Sequence, residues 1–151
     1  MGRIVVGIDG SEESRPALRW AIDEARLRGW QVHAVHAWEY PYLGGSLGYM
    51  SLPNADLAEQ VQQHAREILD EAADAVIGDD DDIYVERVIE EGPAPRVLLE
   101  AARYADLLVV GSRGRGGFSG LLLGSVSQVC SQHAPCPVLI VPHERKHKEA
   151  P

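Results

Sequence analysis

Strand-like and helix-like segments alternate along the whole chain, and that alternation limits the fold more than any other feature. β-Branched or apolar runs lie at Arg3 to Asp9, Gln31 to Trp38, Ile83 to Glu90, Asp106 to Gly111 and Pro137 to Val141. Between them fall helical patterns. Leu18, Ala21, Ile22 and Ala25 mark one apolar face, and Leu57, Val61, Ala65, Ile68 and Ala72 mark another. Such an order predicts an α/β fold, a single doubly wound parallel sheet with helices on both faces and right-handed crossovers. The run Asp106-Leu-Leu-Val-Val-Gly111 shows no polar alternation, as a central parallel strand covered on both sides requires.

Helix boundaries are written in the usual chemistry. Ser11 is the expected N-cap of the first helix, with Glu12 and Glu13 in its first turn and Gly29 as its stop. Gly78 ends the second helix, Pro93 or Pro95 opens a third that runs to Tyr104, and a fourth is expected from Leu121 to Gln132. Tyr40 to Ser51 is a long loop rich in glycine and tyrosine, a candidate lid or contact surface.

The 151 residues suit one domain, drawn at 1–143 with a frayed tail at 144–151. Fourteen Lys and Arg face 23 Asp and Glu, a net charge of -9, which argues against a nucleic-acid partner. No apolar stretch approaches the roughly 20 residues of a membrane span, and Met1 leads straight into a strand, so a cytoplasmic protein with no membrane contact is expected. Cys130 and Cys136 lack zinc-site spacing and read as buried, reduced thiols. The acidic run Asp79 to Asp82 lacks the interleaved ligands of a calcium loop and reads as a solvated turn. His33 and His36, three apart on a strand, should face opposite ways and hold no common metal.

The glycines after the fourth strand carry the chemistry. Gly111-Ser112-Arg113-Gly114 is followed by nine residues and then Gly124-Ser125. Small residues let backbone amides turn toward an anion, and a helix opening at Gly124 adds unpaired amides and its dipole. Arg113 and Arg115 bring local positive charge to an acidic chain, and the Ser125 hydroxyl can donate to a phosphate oxygen. In open parallel sheets ligands bind beyond the carboxyl ends of the strands, where the strand order reverses. If the first and fourth strands are neighbours there, Asp9 and the glycine loop face one crevice.

With these elements together, the chain resembles the universal stress proteins of the ATP-binding kind, from Ile4 through Val141. The Gly-x-x-Gly, nine-residue, Gly-Ser signature is its most specific match. Val6-Gly-Ile-Asp-Gly-Ser11, Glu91-Gly-Pro-Ala94 and Ala134-Pro-Cys-Pro-Val-Leu-Ile-Val-Pro142 support it. The resemblance implies a Rossmann-like sheet in the order 3-2-1-4-5, akin to adenine nucleotide alpha hydrolases, and ATP with magnesium in the crevice. It implies Asp9 on the ribose or, through water, on magnesium, with Gly7 lining the pocket and Ala37 meeting adenine through its main chain. Gly111, Ser112 and Gly114 would hold the phosphates with the rest of the loop, Arg113, Arg115, Gly116 and Gly117. Gly124, Ser125 and Val126 would complete the grip. It also implies a homodimer through the last strand, Val138, Leu139, Ile140 and Val141, an apolar edge that invites pairing.

An ATP site alone is not an ATPase. The signature holds no carboxylate, glutamine or histidine to orient an attacking nucleophile, and the Walker lysine is missing. A nucleotide-dependent regulatory or stress-response switch, acting on a protein partner the sequence does not name, is therefore expected. The alternatives are a slow ATPase or adenylate- or phosphate-transferring enzyme using the same pocket, and a nucleotide-free dimeric interaction module.

Overall fold

A computed structural model describes residues 1–40, 55–80, 82–114 and 123–143. The expectations for the loop beyond Tyr40, for Arg115 to Gly117, for Asp81 of the acidic run and for the tail at 144–151 lie outside those residues. The elements are β1 (Arg3–Gly7), α1 (Ser14–Arg28), β2 (Gln31–Trp38), α2 (Ala55–Ile77), β3 (Val85–Glu91), α3 (Ala94–Ala102), β4 (Leu107–Gly111), α4 (Ser125–His133) and β5 (Val138–Val141). The strands form one sheet in the order β3-β2-β1-β4-β5, and each neighbouring pair is parallel. The predicted doubly wound fold is the observed one.

Period-two alternation splits each strand between two cores. Ile4, Val6, Val32, Ala34 and Val109 meet Leu18, Ala21 and Ile22 of α1 and Leu69, Ala72 and Ala73 of α2. On the opposite face Val5, Val35, Leu108 and Val110 meet Val97 and Leu98 of α3 and Cys130 of α4. Both faces of the central strands are thus dry, which is why β4 reads as an unbroken apolar run. Leu18 and Leu69 are fully buried, so truncating either to alanine costs about 2–5 kcal/mol.

Several boundaries differ from the sequence reading. Helix α1 begins at Ser14, so Ser11 is not its N-cap and Glu12 and Glu13 precede its first turn. The reason is the competing turn at Asp9 described below. Strand β1 stops at Gly7 and β3 starts at Val85, each two residues inside the expected runs. Helix α3 ends at Ala102, with Pro95 in its first turn. Helix α4 starts at Ser125 with Gly124 as N-cap; residues 121–122 of the expected start lie outside the described residues. Gly29 stops α1 as expected, in the left-handed conformation with φ 67°.

Cys130 is buried, and burial pushes its thiol up. Cys136 is only half-buried, because it enters β5 at the sheet edge. His33 stands in register with Val5 and faces the α3 side, whereas His36 stands in register with Ile89 on the α1–α2 side. Among the described residues no group of three His, Cys, Asp or Glu is placed to hold a metal, and no helix is long and apolar enough to cross a membrane.

Candidate functional site

The strand order reverses between β1 and β4: from β1 the chain goes to β2 on one side, and from β4 to β5 on the other. A cavity of about 400 Å³ opens there, at the carboxyl ends of the strands. That volume lies in the range of small-molecule sites. Its walls divide by chemistry. Val35 and Ala37 of β2, Ala94 and Leu98 of α3, and Val110 of β4 form an apolar side. Asp9, Arg113, Gly114, Gly124 and Ser125 form a polar one.

Asp9 is fixed by the turn that follows β1. The Ile8 amide donates to the Val35 carbonyl at 2.9 Å, and the buried His36 ring places Nδ1 2.8 Å from the Ile8 carbonyl. Serving that acceptor requires the His36 proton on Nδ1. Gly10 follows with φ 86°, a conformation that favours glycine. The Ser11 amide then donates to Asp9 Oδ1 at 2.9 Å, and the Ser11 hydroxyl donates to the same oxygen. This closes an Asx turn. The Ser11 side chain is spent on Asp9 and does not cap α1, while the Ser11 carbonyl takes the amide and hydroxyl of Ser14.

With Oδ1 anchored, Oδ2 of Asp9 points across the cleft. A Cβ built on Gly114 would lie 2.7 Å from it, so the carboxylate occupies the space that a side chain at 114 would need. The two features singled out in the sequence, the strand-end aspartate and the glycine loop, are therefore in contact distance.

The loop itself is tightly drawn. A Cβ on Gly124 would stand 3.4 Å from Arg113 Cα and 3.5 Å from the Gly114 nitrogen. A Cβ on Gly7 would meet Leu98 Cδ1 at 2.8 Å, which explains glycine at the cavity floor. Gly124 caps α4 without a side-chain hydrogen bond, and the first-turn amides of that helix lie at the cavity lining by Ser125 and Val126, placed to meet an acceptor there. Amides, the α4 dipole and the Arg113 guanidinium all favour an anion. The Asp9 carboxylate beside them favours a hydroxyl or a cation.

Of the residues singled out in the sequence, Gly7, Asp9, Ala37, Gly111, Arg113, Gly114, Gly124, Ser125 and Val126 line this one cavity. Ser112 stands behind its wall. Ser112 is buried, with its amide donating to the Val141 carbonyl at 2.9 Å and its carbonyl accepting from the Gly124 amide at 2.7 Å. The sequence reading missed Ser14, Leu98 and Ser127, which also line the cavity, and His36, which braces it from behind. Leu98 shows only as one member of a helical apolar face, and a lone serine inside a helix carries no local signal.

Comparison with known proteins bears on the family and the fold. The Universal stress protein family model matches residues 1–142. A universal stress protein of Mycolicibacterium smegmatis is 37% identical over 142 residues, covering 91% of this chain and 45% of that protein. One from Mycobacterium tuberculosis is 39% identical over 137 residues, covering 91% and 44%. The chain thus spans a little under half the length of these curated relatives. Among solved structures, a universal stress protein of Lactobacillus plantarum is 20% identical, with a TM-score of 0.75 over 93% of this chain and 97% of that one, which speaks for the fold. A universal stress protein solved in complex with cAMP is 29% identical, with a TM-score of 0.68 over 95% and 98%. The chain belongs to the universal stress protein family.

Proposed function

We propose that this chain binds an adenine nucleotide, ATP with magnesium, in the cleft between β1 and β4, and that occupancy sets the state of a stress-response switch. One observation carries the reading: Asp9 Oδ2 comes within 2.7 Å of the Cβ position of Gly114, beside the open start of α4. A carboxylate beside an anion cradle suits a ligand that offers both a hydroxylated sugar and phosphates. The apolar wall of Val35, Ala37, Ala94 and Leu98 offers a flat base a dry surface. The 29% identical relative held in a complex with cAMP supports a nucleotide as the ligand class.

Magnesium fits the donor set. Asp9 and the Ser125 hydroxyl are hard oxygen ligands of the kind that join phosphate oxygens and water around that ion. When bound, the ion would neutralise the phosphates next to the Asp9 carboxylate. Without it, repulsion from Asp9 weakens binding in proportion to phosphate charge.

Among the described residues lining the cavity, Asp9 and Arg113 are the charged ones. Asp9 Oδ1 is already engaged by two donors from Ser11. That arrangement serves retention of the ligand better than in-line attack on a phosphate, which needs a group to orient the nucleophile. The chain acts by binding and release, on a protein partner, as a homodimer paired through β5. In the single chain β5 is an edge strand, and Val138, Leu139 and Ile140 are only half-buried.

Calorimetry with ATP, in magnesium and in excess chelator, tests the reading together with mass spectrometry of ligand released from purified protein. Saturable heat that weakens without magnesium is expected. No heat with ATP, AMP or cAMP refutes nucleotide binding. Phosphate release above the buffer rate, abolished by Asp9→Ala, would replace the switch with an enzyme.

A further inference from the structure

Ser127 belongs to no signature, yet it is 2% exposed and carries a polar side chain in the α4 face turned toward the glycine loop. Its hydroxyl lies 3.1 Å from the Ser112 carbonyl and 2.9 Å from the Gly124 carbonyl, one turn back in the helix. A hydroxyl has one proton, so these two acceptors share it. The Ser112 carbonyl also receives the Gly124 amide at 2.7 Å, and the Ser112 amide is held by Val141 at 2.9 Å. The two peptide groups that flank Ser112 thus join the end of β4, the end of β5 and the start of α4.

We propose that Ser127 is a positioning residue for the anion-binding half of the cleft. The inference rests on the nucleotide reading of that cleft. A peptide carbonyl beside a phosphate repels it, and the Ser112 carbonyl is the one that lies between the two halves of the glycine signature. Two donors from α4 hold it toward the helix and neutralise its negative end. Because the peptide is planar and trans, the Arg113 amide of the same unit points the opposite way. The Ser127 hydroxyl, engaged by the Ser112 and Gly124 carbonyls at the cavity lining, therefore fixes the direction of a dipole that the phosphates feel.

The proposal predicts a graded effect. In Ser127→Ala the Ser112 carbonyl keeps the Gly124 amide and the Gly124 carbonyl keeps the Gln128 amide at 3.0 Å, so no buried acceptor is orphaned and the fold survives. Loss of one dipole restraint should leave adenosine affinity unchanged, weaken AMP slightly and weaken magnesium-ATP about fivefold, the scale of one ordinary hydrogen bond. Ser131→Ala is the control. Its hydroxyl makes the same kind of bond to the carbonyl three residues back, Gln128 at 2.8 Å, but it is exposed and no bond to the described part of the loop accompanies it. That variant should bind all three ligands as the parent does.

The experiment is calorimetry of the full chain and both variants with adenosine, AMP and magnesium-ATP, alongside thermal melting. A loss that grows with phosphate number in Ser127→Ala alone supports the proposal. Equal losses for adenosine and ATP would mean that Ser127 is merely structural and overturn it, as would unchanged ATP affinity. Should the parent chain bind none of the three, the nucleotide reading fails first, a result separate from any difference between variants.

Discussion

Replacing Gly114 with alanine tests the central geometry directly. The new Cβ would start 2.7 Å from Asp9 Oδ2, so the carboxylate must retreat by about 0.7 Å to reach ordinary contact. It cannot do so freely. Oδ1 of the same group is held by the Ser11 amide at 2.9 Å and by the Ser11 hydroxyl, and turning the carboxylate loosens both. Overpacking of this kind costs about 1–3 kcal/mol. Gly114 does not adopt a positive φ, so the penalty is steric and comes through Asp9.

A double-mutant cycle isolates that cause. In an Asp9→Ala background the obstructing oxygen is gone, and Gly114→Ala should cost close to nothing in urea denaturation. The expected coupling between the two sites is about 1–2 kcal/mol, well above the few tenths typical of independent positions. Nucleotide affinity, followed by calorimetry, should fall with Gly114→Ala in the parent and show little further fall once Asp9 is alanine. Additive losses in both measurements would refute the claim that the aspartate and the glycine loop meet, and with it the construction of the cleft.

Three further outcomes follow from separate parts of the fold. Gly7→Ala places a Cβ 2.8 Å from Leu98 Cδ1 and should destabilise by about 1–3 kcal/mol in urea; Leu98→Ala added to it should recover part of that loss, and strict additivity would contradict the contact. Ile140→Glu puts a charge on the half-buried β5 edge and should yield monomer in analytical ultracentrifugation, whereas an unchanged dimer would reject pairing through β5. Burial, reinforced by the Arg3 cation and opposed by Glu86, lowers the His33 pKa. The unfolded chain then takes up that proton first as pH falls below about 6.5, so stability is full above that value and declines below it. His33→Gln should flatten this part of the stability profile between about pH 7 and 5, and an unaltered profile would remove His33 from the account.

The sheet was legible because its signals are global. Both faces of β1 and β4 are buried, so their apolar runs are unbroken, and alternating elements joined by right-handed crossovers give a parallel doubly wound sheet, whereas its order 3-2-1-4-5 was implied only by the family resemblance. The cleft was legible as far as backbone demands glycine. Gly7, Gly114 and Gly124 each stand where a Cβ would meet Leu98, Asp9 or the Arg113 backbone, and composition alone exposes such positions. Ser11 was misread because two local motifs compete for one residue. An N-cap and an Asx turn both favour a small polar side chain at this spacing, and the sequence does not show that Gly10 bends the chain so that Asp9 Oδ1 captures Ser11 first.

That competition bears on how the site works. Had Ser11 capped α1, its hydroxyl would have turned to the helix and Asp9 Oδ1 would have lost one of the two donors that hold it. Instead one oxygen is spent on holding the other in place, and α1 starts two residues later than a Ser11 cap would place it, without a side-chain cap. Loss of a cap costs about 1 kcal/mol of helix stability. The fold bears that cost where β1 ends and the cleft begins, and the return is a carboxylate whose Oδ2 is aimed at Gly114 before any ligand arrives. Preorganisation of this kind raises affinity by sparing the ordering entropy at binding. Ser11→Ala should therefore weaken a sugar-bearing ligand more than inorganic phosphate, although Ser11 lies outside the lining of the cavity. Equal weakening of both in calorimetry would show that the Asx turn supports the loop as a whole and does not specifically aim Asp9.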